Sequence, residues 1–330
     1  MNKTRNIFED VNTDKPRDTP IKGGFIDEGR DEWRVGVSQW MKTLFIFVCL
    51  MVVVGGLTRL TDSGLSITEW NVVKGALPPL NEAAWALEFD KYKNIPEYQL
   101  QNKGMSLGDF KVIYWWEWGH RQLGRFLGII WFVGFLYLNI KYRIPNSWKF
   151  RMLIVGLFGG MQGAIGWWMV SSGLSARTDV SHYRLAVHLL TALTILGGLV
   201  WTALDLYALA KDPLARPAKM TGYAAIVLSI LFIQLLFGAW VAGLNAGYVA
   251  NTWPLMNDRF YPEGVDTTQG VFFALVNDPY LTHFVHRWWA WVAVAALLLL
   301  ARRVKTAGVR GASVAIHSTY GIQLILGIAT

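Results

Sequence analysis

The amino-acid sequence predicts an all-α polytopic membrane protein built as an internal repeat, with four transmembrane helices in the first copy and three in the second. Three observations predict it. The 330 residues are 53% hydrophobic and only 16% charged, with 17 tryptophans, a combination foreign to soluble domains. The apolar residues lie in seven long blocks, 37–59, 119–140, 152–171, 185–209, 221–244, 281–301 and 311–330. Each is close to the ~20 residues needed to cross a hydrocarbon core. The outer ends of several blocks also carry matching short motifs.

Charge placement sets the topology. The formal charge of +8 comes from alternate short loops: Lys141, Arg143, Lys149 and Arg151, then Lys211, Arg216 and Lys219, then Arg302, Arg303, Lys305 and Arg310. The connection around Asn245 to Pro279 holds only Arg259. Basic loops stay in the cytoplasm, which puts the N-terminus there too. The charge is a topology signal, and no nucleic-acid partner is expected from it. The single cysteine, Cys49, lies inside the first block; an internal disulfide and a thiol zinc site are excluded.

Taken in order, residues 1–36 mix acids and bases without the short apolar core of a secretory signal, so they read as a cytoplasmic tail. Residues 37–209 form the first unit. Its first block ends at Gly55-Gly56-Leu57-Thr58-Arg59-Leu60 on the outer side. A long polar segment, 61–114, follows. Within it Glu82 to Tyr92 carries Ala83, Trp85, Leu87, Phe89 and Tyr92, the pattern of a short amphipathic helix at the interface. A connection of this length is usually functional.

The second block opens on Glu117-Trp118-Gly119-His120-Arg121-Gln122-Leu123-Gly124-Arg125. At helical spacing Glu117, His120, Arg121 and Gly124 share a face. The third block has glycines at 156, 159, 160, 163 and 166, which suit close helix packing and also leave room for a flat ligand. The fourth starts at His182-Tyr183-Arg184-Leu185-Ala186-Val187-His188, with Arg184 and His188 on one face. Residues 221–330 form the second unit. Its first block leaves through Gly243-Leu244-Asn245-Ala246-Gly247 and Asn251-Thr252-Trp253-Pro254-Leu255-Met256; the next begins Thr282-His283-Phe284-Val285-His286-Arg287.

The repeat emerges from these motifs. Gly56 to Leu60 with Thr68-Glu69-Trp70 resembles Gly243 to Gly247 with Asn251-Thr252-Trp253. His120-Arg121 pairs with His286-Arg287, and Gln162 to Gly166 pairs with Gln323 to Gly327. The two units run in the same direction through the membrane. The second has no counterpart of the fourth helix.

His120, His188 and His286 all fall in the first turns of helices entering from outside, hence at one depth. A lone histidine there is more often packed than ligating. Three at one depth, each near an arginine, favour iron ligation in a bundle core. Arg121, Arg125, Arg184 and Arg287 then suit heme propionates, because a planar guanidinium matches a carboxylate. His182 and His283, in or next to the outer loops, are expected to be solvated. His317, entered from the cytoplasmic side, is expected to pack. Glu117 has two readings: an ion pair with Arg121, or a proton acceptor during oxidation of a bound substrate. The many tryptophans fit an aromatic belt first and the lining of a macrocycle second.

The motifs Gly55 to Ser66, Glu117-Trp118-Gly119-His120-Arg121, Asn251 to Met256 and His286-Arg287 resemble heme A synthases of the proteobacterial and mitochondrial type. The resemblance runs from the first block to the end. It implies two four-helix bundles and successive oxidation of the heme O C8 methyl group to a formyl group. In that family the first bundle holds the substrate heme between the histidines matched by His120 and His188, with Glu117 matching the essential acid. The second holds a heme b cofactor, with His286 matching one axial ligand. The metal ligands implied are therefore His120, His188 and His286. The resemblance also implies a multi-pass protein of the bacterial inner membrane, serving cytochrome oxidase biogenesis. Beyond membrane lipid, heme O and heme A, its candidate partners are a heme O synthase, an electron-transfer protein and a second copy of the chain. Two departures stand out: the cysteine pair of some members is absent, and the family's eighth helix and its histidine do not appear by Thr330, so either the sequence continues beyond it or the second heme site is incomplete. A b-type cytochrome that only passes electrons and a transporter are the rival readings.

Overall fold

In hydrocarbon a backbone must satisfy its polar groups within its own segment, and each apolar block accordingly folds as one helix. The computed structural model describes residues 28–215 and 219–329, with side chains from residue 32. Most of the proposed tail, Arg216 and Thr330 lie outside the described residues. The helices are α1 (Glu28–Leu60), α2 (Glu82–Tyr92), α3 (Pro96–Leu100), α4 (Leu107–Lys141), α5 (Asn146–Val170), α6 (His182–Lys211), α7 (Gly222–Gly243), α8 (Val271–Asn277), α9 (Pro279–Thr306) and α10 (Arg310–Ala329). Seven of them, α1, α4, α5, α6, α7, α9 and α10, are long and apolar enough to cross a membrane. The protein is therefore an all-α polytopic membrane protein.

Three boundaries move relative to the sequence reading. Helix α1 starts by Glu28, so the last part of the expected 1–36 tail is helical, and the first unit extends beyond 37–209 at its start. Helix α4 starts at Leu107 rather than 119, which shortens the outer segment from 61–114 to 61–106. A capping box explains that start. Asp109 N donates to Ser106 Oγ at 3.2 Å, and Ser106 N donates back to the Asp109 carboxylate at 3.4 Å. The extra turns are polar to hydropathy because they pack on protein rather than lipid. Phe110 and Tyr114 bury against Trp85, Phe89 and Tyr92 of α2. That is the amphipathic helix expected at 82–92, with its cap at Asn81. It covers the top of α4 instead of lying free at the interface.

Helices α1, α4, α5 and α6 pack as the first unit, α7, α9 and α10 as the second, and α6 against α7 joins them. Two packing clusters hold the first unit. The inner one gathers Trp33, Val37, Met41 and Leu44 with Leu138, Met152, Leu199 and Leu206. The outer one is the aromatic cap of α2 and α4, completed by Leu65, Ile67 and Val170. Neither cluster reaches the layer between them. On α1 that layer runs from Cys49 to Leu60, and on α4 from Gly119 to Phe126. It contains Gly55, His120, Gly166 and His188.

Candidate functional site

Each histidine of the middle layer stands against a glycine of a neighbouring helix. A Cβ built on Gly55 of α1 would lie 3.0 Å from His120 Nε2. One on Gly166 of α5 would lie 3.0 Å from His188 Cε1, and one on Gly238 of α7 would lie 3.0 Å from His286 Cε1. Three rings thus use space that only glycine leaves open. The other α5 glycines divide: Gly156 is filled by the Trp131 ring, which is close packing, while Gly159, Gly160 and Gly163 have nothing within 4 Å. His188 lies six residues into α6, about 9 Å along its axis at 1.5 Å per residue. His120 lies well inside α4 rather than in its first turns, because α4 begins early.

His120 and His188 belong to facing helices and are near enough to interact electrostatically. The Gln162 carboxamide pins His188, with Nε2 3.2 Å from His188 Nδ1 and 2.8 Å from the His188 carbonyl oxygen. His286 lies beside the Gln234 backbone, and its Nδ1 is buried without a hydrogen bond. Gln162 precedes Gly166, and Gln234 precedes Gly238, by one helical turn. Among the described residues no protein group hydrogen-bonds Nε2 of His120, His188 or His286. Glycine cradles at all three rings, Nε2 atoms without a protein partner and, at His188, an Nδ1 held by Gln162 match what a metal-bound imidazole requires. These residues fit a heme.

Glu117 is buried at 2% exposure, and four hydrogen bonds fix its carboxylate. Oε2 accepts from Ser66 Oγ at 2.8 Å and from Ile67 N at 2.7 Å. Oε1 accepts from Arg121 Nη2 at 2.6 Å and Nε at 3.1 Å. Arg121 goes on to donate to the Ile67 and Glu69 carbonyls at 2.9 and 3.0 Å. One helical turn on, Arg125 donates to the Asn71 and Val72 carbonyls, both at 3.0 Å, and Gln122 bonds the Ala76 carbonyl. The face of α4 that bears His120 is thereby stitched to the outer segment 67–76. The guanidiniums expected near propionates spend part of their donors on this loop. Arg184 donates to the Trp168 carbonyl at 2.6 Å and sits over the Trp168 ring at 4.8 Å.

The second unit repeats the stitch. Arg287 donates to the Ala250 and Thr252 carbonyls, both at 2.6 Å, where Arg121 uses Ile67 and Glu69. Its Nε donates to His283 Nε2 at 3.0 Å, where Arg121 uses Glu117. Hence His283 is the structural counterpart of Glu117. It is not the solvated residue expected from sequence: it is 8% exposed, and His182 is 3% exposed with both ring nitrogens unpartnered. Extending the His120-Arg121 and His286-Arg287 match three residues backwards would have paired Glu117 with His283. His317 Nδ1 lies 2.7 Å from the Ser313 carbonyl of its own helix, as a packed residue would.

Outside the membrane, Glu97 is buried at 3% exposure in the cap. Tyr92 donates to it at 3.2 Å, and Asn102 donates to Tyr92 at 2.8 Å. Burial outweighs these bonds and pushes the Glu97 carboxyl up to about 8, with nearby acids adding to the shift.

Comparison with known proteins shows the family. The family model of the cytochrome oxidase assembly protein COX15-CtaA matches residues 38–330. The chain is 57% identical to the heme A synthase of Sphingopyxis alaskensis over 294 residues, covering 89% of this chain and 83% of that protein. It is 52% identical to the heme A synthase of Erythrobacter litoralis over 299 residues, covering 90% and 88%. With the heme A synthase of Cereibacter sphaeroides (strain ATCC 17025) it shares 44% over 345 residues, covering 99% and 88%. No solved structure matches. On this evidence the chain belongs to the COX15-CtaA family of cytochrome oxidase assembly proteins.

Proposed function

We propose that this chain is a heme A synthase of the bacterial inner membrane, with its N-terminus cytoplasmic, and that it oxidises the C8 methyl group of heme O to a formyl group. The observation that carries the reading is the middle layer of the first unit. There a fixed, buried carboxylate lies one turn from a histidine seated on glycine, with a second histidine on a facing helix. His120 and His188 hold the substrate iron through Nε2, and Gln162 keeps the His188 ring in register. Converting methyl to formyl (R–CH3 + H2O → R–CHO + 4 H+ + 4 e−) takes its oxygen from water, passes four electrons to an external acceptor and releases protons beside the His120 face. Glu117 is placed to accept them. Its four donors keep the carboxyl group at one position relative to the His120 face. Arg121 has a double task, orienting Glu117 and tying down the segment 67–69 above it. The unused donors of Arg121, Arg125, Arg184 and Arg287 suit the propionate edge of a porphyrin.

A heme b bound in the second unit through His286 would supply one-electron redox chemistry there. His286 fits that role by its Gly238 cradle and its buried Nδ1 beside the Gln234 backbone.

Extraction of pigment from the purified full chain tests the proposal. Porphyrin bearing a hydroxyethylfarnesyl tail, or its alcohol and aldehyde products, is the expected result. Protoheme alone would replace the reading with that of an electron-transferring b-type cytochrome, and no heme at all would favour a transporter.

A further inference from the structure

The two units share one scaffold at the outer end of the histidine layer and differ in the side chain that holds the arginine; the first unit also carries Arg125 one turn on, where the second has Trp291. In both, an arginine directly after the layer histidine donates to two carbonyls of the outer segment, Ile67 and Glu69 or Ala250 and Thr252. In both, the same arginine's Nε donates to a side chain one turn earlier on its own helix. That side chain is the Glu117 carboxylate in the first unit and the His283 imidazole in the second. Because His283 Nε2 accepts the bond at 3.0 Å, the ring carries its proton on Nδ1 and is neutral. The first pair therefore sums to zero charge and the second keeps the full positive charge of Arg287. Glu117 and His283 are buried and the two arginines are half-buried, so a charge there is screened less than at the open surface.

We propose that His283 is the positioning residue that distinguishes the two sites: it holds Arg287 in the place Glu117 holds Arg121 without compensating its charge, and so raises the reduction potential of the redox group held by His286. A positive charge beside such a group stabilises the added electron, and hydrogen bonding and charge around a ligand are among the levers by which a protein sets potential. The same substitution removes the proton-accepting carboxylate, so the second unit is built to hold an electron and the first to lose a proton. The inference rests on the heme reading of the function above.

Optical redox titration of heme bound to the purified full chain tests it, with His286→Ala identifying the component that belongs to the second unit. His283→Glu and Arg287→Gln should each shift that component to lower potential, whereas His283→Gln, neutral like the histidine, should leave it near the wild-type value. The reciprocal Glu117→His should shift the first unit's heme to higher potential, and it keeps the test open if His283→Glu fails to fold. Potentials unchanged in His283→Glu, Arg287→Gln and Glu117→His, or a shift in His283→Gln as large as in His283→Glu, would overturn the inference while leaving the heme reading intact. Absence of heme from the wild-type protein would overturn both.

Discussion

Glu97 and Glu117 are both buried carboxylates of the outer half, and their partners separate their roles. Glu117 receives four donors including a guanidinium, which suits a group that must stay ionised. Glu97 receives a phenol and a distant carboxamide, and burial raises it from 4.5 to about 8. The sign follows from the raised value. The folded state binds the proton more tightly than the unfolded chain, so this contribution to stability is full below pH 4.5 and is lost as pH rises through 8. The thermal midpoint of the wild-type protein should fall between pH 5 and 9 more than that of Glu97→Gln, and the variant should be the more stable at the alkaline end; parallel profiles for the two would contradict the assignment. Gln162 carries a second prediction at this scale. Gln162→Leu unpins His188 Nδ1 and should weaken heme retention by about tenfold or more, the usual effect of removing the group behind a metal-bound histidine. Equal heme content per chain in the two proteins would count against it. Of these residues, Glu117 and the three layer histidines stand out in the sequence because ionisable groups in apolar runs are costly. His283 and His182 do not, since hydropathy places them near a loop and only the packing of α7, α8 and α9 shows that they are buried.

At the scale of the helix, the glycines opposite the histidines decide whether the rings can stand where they do. Gly166→Leu and Gly55→Leu drive bulk into the His188 and His120 rings and should cost heme binding with helix content unchanged. Gly160→Ala, with nothing within 4 Å of its built Cβ, should bind heme normally and serves as the control. If Gly160→Ala lost as much heme as Gly166→Leu, general helix packing would explain the glycines better than the cradles do. The five glycines of α5 form one stripe in the sequence, and periodicity alone cannot separate the one facing Trp131 from the one facing His188. Helix existence was legible throughout, because long apolar runs have no alternative to a helix in hydrocarbon. The start of α4 was not. Residues 107–118 bury their apolar face on α2, and that contact joins segments far apart in the chain.

Across the whole molecule, the two units share bonds that their short motifs do not state. The ends of α1 and α7, already matched in sequence, meet at one junction. Arg59 lies 3.7 Å from Asp179 and bonds Asn245, which in turn donates to Asp179 at 3.0 Å. Beside it α6 and α7 approach so closely that a Cβ on Gly243 would lie 2.7 Å from His182 Cα. Gly243→Val should therefore force the units apart and cost about 1–3 kcal/mol, the usual range for overpacking. A lower midpoint of thermal or denaturant unfolding would show it, and an unchanged midpoint would argue that the units dock elsewhere. The account as a whole stands on the first unit being the place where heme O is oxidised and on Glu117 taking the protons. Heme composition of membranes from cells whose sole copy of this protein carries Glu117→Gln tests that claim most directly. The expected result is a folded protein that retains heme O while heme A disappears, with Glu117→Asp restoring a part of it. Heme A at the wild-type level in Glu117→Gln would contradict the claim.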